Sequence, residues 1–165
     1  MRFQSGTRTV TSRVVRGGGL PNVIGLVESP RGFIEQLMQR GESFSFETVM
    51  SHPSKIEFFT RARAEGYKTY LYFVCTSSPE LNVARVRTRV MTGGHAVPED
   101  KIRERYGRSL DLARAALGSA YRAYFFDNSG REPVWLAEFD PQGHRHLKVE
   151  PDRVPRWFRD AIGNV

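Results

Sequence analysis

The sequence predicts an α/β layer protein, and three observations carry that expectation. Amphipathic helical patterns alternate with apolar strand patterns along most of the 165 residues, as they do where helices pack on a sheet. The run Tyr70-Leu71-Tyr72-Phe73-Val74-Cys75 is apolar on both faces, which suits the middle of a parallel sheet covered on both sides. Hydrophobic residues make up 39% and charged residues 26% of the chain, ordinary usage for a single globular domain with room for a core.

The elements follow in order. Residues 1–22 hold Arg2, Arg8, Arg13 and Arg16 but no acid, and are rich in Ser, Thr and Gly. They read as a disordered basic arm ahead of a domain spanning 23–165. Phe33, Ile34, Leu37 and Met38 make one face of a helix over 31–40, stopped by Gly41. The Ser/Phe alternation of 43–48 is a short strand with Phe44 and Phe46 on one side and Glu47 at its end. His52-Pro53 opens a helix that ends near Gly66, and the strand 67–75 follows. Ser77, with Glu80 three residues on, predicts a capping box for a helix running to Met91 and stopped by Gly93-Gly94. Pro98 opens a longer helix to Leu117 with Ile102, Tyr106, Leu110 and Ala113 on one face. A strand at 121–127 closes in Asn128-Ser129-Gly130, a hairpin turns at Asp140-Pro141-Gln142-Gly143, and Pro155 begins a short last helix that buries Trp157, Phe158 and Ile162.

Lys plus Arg number 25 against 18 Asp plus Glu, a formal net charge of +7. That balance favours an anionic partner: nucleotide phosphate, nucleic acid or an acidic surface. The lone cysteine, Cys75, excludes an intrachain disulfide and fits a reducing cytoplasm. No stretch approaches the roughly 20 apolar residues of a membrane span, and no secretory signal stands at Met1. His144 and His146 share a strand face without a third ligand, so no metal site is predicted.

The chemistry concentrates between Arg85 and Arg108, where seven cations stand against Glu99, Asp100 and Glu104. Two helices there flank Gly93-Gly94-His95-Ala96-Val97-Pro98. Arg85 and Arg89 are four apart on the first helix, Arg105 and Arg108 three apart on the second, so each pair shares a face. Converging guanidinium groups on such a hinge suit a lid over phosphates. The same pattern also describes two solvated helix faces laced with Glu–Arg pairs.

The stretch from Glu42-Ser43-Phe44-Ser45-Phe46-Glu47-Thr48 through Gly66-Tyr67, then Ser78-Pro79-Glu80-Leu81, Gly93-Gly94-His95-Ala96-Val97-Pro98, Arg105-Tyr106, Arg108-Ser109 and Asp127-Asn128-Ser129-Gly130, resembles the zeta-toxin-like family of P-loop small-molecule kinases. The resemblance runs from about residue 26 to 130. It implies a three-layer P-loop-kinase-like parallel sheet with flanking helices, plus the C-terminal hairpin and short helix. It also implies ATP- or GTP-dependent phosphoryl transfer to a small molecule with Mg²⁺, and an antitoxin as a protein partner. Glu47 would orient the substrate hydroxyl or act through Mg²⁺, and Arg105 would share in catalysis. Arg89, Arg108 and His95 would contact phosphate, and Asn128 and Ser129 would border the base.

The sequence departs from the family where the chain should begin. No G-x-x-x-x-G-K-[ST] loop occurs, since Gly17-Gly18-Gly19 leads into Leu20-Pro21. The chain is therefore expected to be N-terminally truncated, to lack the first strand and phosphate loop, and to be impaired as a kinase. The rival expectation is a non-catalytic basic module that binds nucleic acid or an acidic partner through its arginine surface.

Overall fold

The computed structural model describes residues 10–15 and 31–163. The chain runs β1 (Val10–Val15), α1 (Arg31–Gln39), β2 (Phe44–Thr48), α2 (Ser54–Ala64), β3 (Lys68–Cys75), α3 (Pro79–Met91), α4 (Glu99–Ala116), β4 (Arg122–Asp127), β5 (Val134–Phe139) and β6 (Arg145–Leu147). A single 3-10 turn, Pro151–Arg153, leads into α5 (Arg156–Ala161).

Local chemistry sets the helix ends. Gly41 takes φ 70° after α1, and Glu42 N bonds back to Leu37 O at 3.0 Å, a turn that glycine enters without steric cost. His52 Nδ1 accepts from Ser54 N at 3.2 Å at the start of α2. α3 is capped by Ser78, whose hydroxyl accepts from Leu81 N at 3.3 Å, not by the expected Ser77. Ser77 N donates instead to Ser129 Oγ at 2.7 Å, so the capping role moves one residue on.

The six strands lie in the order β2-β1-β3-β4-β5-β6. β3 and β4 pair in parallel from Tyr70 opposite Arg122 to Cys75 opposite Asp127, joined by the crossover through α3 and α4. β4, β5 and β6 form an antiparallel meander. β2 points the same way as β3, because β1 is antiparallel to both.

Here the structure corrects three expectations. The strands 43–48 and 68–75 are codirectional but not adjacent, so the sheet is mixed rather than parallel. Within the segment read as an arm, Val10–Val15 is a central strand; the rest of 1–22 lies outside the described residues. The place expected to be open for a missing strand is filled by β1. Two codirectional strands one position apart present facing rows of N–H and C=O groups that need partners. The valine-rich Val10-Thr11-Ser12-Arg13-Val14-Val15 has the β-branched composition to supply them.

One face of the sheet carries the core. Leu71, Phe73 and Phe125 meet Phe59 of α2, Tyr106, Leu110 and Ala113 of α4, and Trp157 and Phe158 of α5. Leu37 and Met38 of α1 close over Phe44, Phe46, Ala62 and Tyr67 beside it. A fully buried large side chain of this kind contributes about 1.5–3 kcal/mol. The described helices α1, α2, α4 and α5 thus lie on one face.

Candidate active site

The carboxyl ends of β3 and β4 are level in the sheet, and β2 ends two residues short of them on the same side. Val10 stands opposite both Thr48 and Phe73, and Cys75 stands opposite Asp127. In α/β sheets ligands bind beyond this edge. Glu47 sits there, exposed, one residue before the end of β2. The turn after it is fixed by Met50, which is buried at 1% exposure with φ 50° and donates its N–H to Thr48 Oγ1 at 3.3 Å. A buried non-glycine residue with positive φ is a strained position, of the kind that collects near functional edges.

The loop after β4 is held from several sides. Asn128 N donates to Cys75 O at 2.7 Å, extending the β3–β4 pairing by one bond. Ser129 N donates to Asp127 Oδ1 at 2.8 Å, and Ser129 Oγ accepts from Ser77 N. Trp157 Nε1 donates to Asp127 Oδ2 at 2.6 Å. Arg85 Nη2 reaches Ser129 O at 3.4 Å. Tyr106 Oη donates to Thr76 O at 2.9 Å, which ties α4 to the carboxyl end of β3; Arg105, the preceding residue of the helix, is exposed.

The seven cations of 85–108 have different fates. Arg87 Nε donates to Glu99 Oε1 at 2.7 Å, and Arg103 reaches Glu99 at 3.2 Å and Glu80 at 3.4 Å. The Arg87 guanidinium, and then Arg103, hold the Glu99 carboxyl below its ordinary range against some desolvation. Lys101 and Arg108 share Glu104 at 3.1 and 2.9 Å. Arg89 Nη2 donates to the His95 carbonyl at 3.3 Å. Arg105 alone of the seven is exposed and, among the described residues, has no carboxylate within 4.0 Å. The solvated-face reading therefore describes Arg87, Arg103 and Arg108 well and Arg105 poorly.

Of the residues singled out from sequence, Glu47, Asn128 and Ser129 stand at one edge and Arg105 precedes the residue pinned to it. Arg89 and His95 are joined to each other through a main-chain carbonyl. Arg108 is held along its own helix by Glu104. The sequence reading missed Arg85, Tyr106, Asp127 and Trp157 as supports of the edge, because each acts on a backbone or side chain at least 30 residues away. Among the described residues no group of three or more His, Cys, Asp or Glu could hold a metal ion. His144 and His146 instead both reach Asp140 Oδ2, at 3.3 and 2.9 Å, across the hairpin turn. No helix of the described residues is long and apolar enough to cross a membrane.

Codirectional strands β2, β3 and β4 with helical crossovers fit an α/β domain of the P-loop-kinase kind. The comparison with known families makes it specific. The sequence pattern of the family described as Zeta toxin matches residues 29–133, well over half of the chain, and the chain belongs to that family. An uncharacterized protein of Haemophilus influenzae is 33% identical over 63 residues, 38% of this chain and 45% of that protein. The chain thus matches under half of that relative's length. No solved structure matches.

Proposed function

We propose that the carboxyl edge of β2, β3 and β4 binds a nucleoside triphosphate, ATP or GTP, and serves phosphoryl transfer to the hydroxyl of a small molecule. The observation that carries this reading is Arg105. A guanidinium left exposed, without a carboxylate, on a helix anchored to that edge is a ready donor to phosphate oxygens. Glu47 orients and deprotonates the acceptor hydroxyl from the end of β2. Asn128 and Ser129 border the base from a loop that Trp157, Ser77 and Arg85 hold still. Arg89, His95 and Arg108 reach phosphate only after giving up their present partners, through movement of the loop 93–98. An antitoxin and a cytoplasmic setting belong to this reading, since the family is one of toxins and the triphosphate is an intracellular substrate.

Mg²⁺ ordinarily accompanies such a substrate, bound largely by phosphate and by one or two carboxylates. The described residues offer no ligand cluster for it, and no step is assigned to it. The chain has no G-x-x-x-x-G-K-[ST] segment, and β1 lies between β2 and β3. The triphosphate therefore depends on arginine contacts, and the affinity is expected near about 1 mM, or roughly 4 kcal/mol.

Calorimetric titration with Mg·ATP tests the proposal on the chain and on Arg105→Ala and Arg103→Ala. Arg105→Ala is expected to weaken binding about tenfold, with Arg103→Ala within twofold of the parent. Equal effects of the two substitutions would remove Arg105 from the site. Micromolar affinity in the parent would mean that some other segment cradles the phosphates.

A further inference from the structure

The tail beyond the family match reaches back into the candidate site. The matched block ends at residue 133, and α5 lies past it. Trp157 of α5 is buried at 5% exposure, its ring centroid 6.3 Å from that of Phe73 and 5.7 Å from that of Phe158. A phenylalanine would fill such a place as well. The indole adds an N–H donor and directs it to Asp127 Oδ2 at 2.6 Å. Asp127 is the last residue of β4, inside the matched block, and its other oxygen accepts from Ser129 N at 2.8 Å. Both carboxylate oxygens are therefore engaged, one by the tail and one by the loop.

The rest of the loop is held mainly through its main chain. Asn128 N donates to Cys75 O, and Arg85 Nη2 lies 3.4 Å from Ser129 O and 3.5 Å from Gly130 O. Ser129 Oγ accepts from Ser77 N. Among the described residues the half-buried Asn128 carboxamide makes no hydrogen bond. A carboxamide carries a donor and an acceptor side by side, the complement of a purine edge. Asn128 stands between Asp127 and Ser129, the two residues that the Asp127 carboxylate joins. Its placement therefore follows the orientation of that carboxylate, and Trp157 holds one of the two oxygens. Rotation of the carboxylate would release Ser129 N and let Asn128 move. Supporting bonds of this kind matter, because a displacement of about 1 Å at a ligand contact costs up to about 100-fold.

We propose that Trp157 is a positioning residue for the base of the bound nucleotide. It fixes the Asp127 carboxylate, which fixes Ser129 N and with it the Asn128 carboxamide. The role rests on the reading of the edge as a nucleotide site, and it makes the tail 134–163 a part of that site. The effect is confined to the base. Arg105 lies on α4 and serves the phosphates, so loss of the Trp157 bond leaves the phosphate contact in place.

Amide chemical-shift titrations of the full chain with Mg·ATP and with Mg·tripolyphosphate, which has the phosphates and no base, separate base from phosphate. The quantity read is the ratio of the two dissociation constants. A general loss of stability leaves that ratio unchanged, because it weakens both ligands alike. Trp157→Phe is expected to weaken ATP about fivefold and tripolyphosphate by less than about twofold. Asp127→Asn, of equal size, has one acceptor oxygen for two donors and should move the ratio in the same direction; it carries the test if Trp157→Phe does not fold. Phe158→Leu alters the same core but has no bond to Asp127, and should keep the parent ratio. The parent ratio in both Trp157→Phe and Asp127→Asn would overturn the proposal, as would an equal change in Phe158→Leu. So would ATP binding that depends on Arg105 but leaves the amides of 128–130 unshifted. Binding of neither ligand by the parent would instead contradict the nucleotide site itself, and the role of Trp157 with it.

Discussion

Trp157 Nε1 donates a 2.6 Å hydrogen bond to Asp127 Oδ2, joining α5 to the carboxyl end of β4 across 30 residues of sequence. The same carboxylate accepts Ser129 N through its other oxygen, so one aspartate sets both the tail and the loop proposed to border the base. Trp157→Phe keeps an aromatic ring in the core but leaves Asp127 short of a donor. A hydrogen bond to a charged group contributes about 1.5–3 kcal/mol, and the variant should lose at least that much in urea unfolding. A loss under about 0.5 kcal/mol would mean that water replaces the indole without cost.

The two faces of β3 should respond differently to truncation. Phe73 is buried at 1% exposure among Phe125 and Trp157; Phe73→Ala is expected to cost about 3–5 kcal/mol. Its neighbour Tyr72 is half-buried and stacks on Tyr124. Tyr72→Ala should cost about 1–2 kcal/mol, the scale of one aromatic pair and its partial burial. Equal losses in thermal or urea unfolding would show that both faces are equally covered.

Gly94 is required by close approach. A Cβ there would lie 2.6 Å from Arg89 Cγ and 2.9 Å from the Arg89 carbonyl oxygen, and the backbone oxygen cannot swing aside. Gly94 N also donates to that oxygen at 2.9 Å. Gly94→Ala should therefore loosen the end of α3 and destabilise the chain by about 1–3 kcal/mol. Hydrogen exchange at residues 89–95 would report the opening; unchanged protection there would contradict it.

Asp140 gives the hairpin a defined acid sensitivity. The His146 imidazole bonded to it, with the His144 and Gln142 amides, holds its carboxyl well below the ordinary range despite partial desolvation. A carboxyl lowered on folding contributes stability that is present above its unfolded pKa, about 3.9, and is lost as pH falls through the folded value. The stability that Asp140 lends over Asp140→Asn should thus be lost as pH falls below about 4. A difference that grows below about pH 4 would contradict this sign.

Much of the fold was legible because its signals are local. The helix 31–40 follows from Phe33, Ile34, Leu37 and Met38, and the glycines at 41, 66 and 93 mark turns that take positive φ in the structure. β1 was not legible. Its six residues sit in a polar, glycine-rich stretch, and only the pairing needs of β2 and β3 select it. The site was partly legible. Glu47 and Asn128 end strands that the pattern shows, whereas the distinction between Arg105 and Arg108 rests on Glu104 lying four residues before one of them and bonding it. Spacing alone allowed both to face phosphate.

The central claim is that the carboxyl edge of β2, β3 and β4, with Arg105 beside it, is where a nucleotide binds. Amide chemical-shift mapping of the full chain during titration with Mg·ATP tests it most directly. The account predicts saturable shifts concentrated at 47–50, 76–78, 105–106 and 127–130, reduced in Arg105→Ala. Shifts confined to the hairpin at 140–147 or to the aromatic face of β3 and β4, or none at several times about 1 mM ATP, would contradict it.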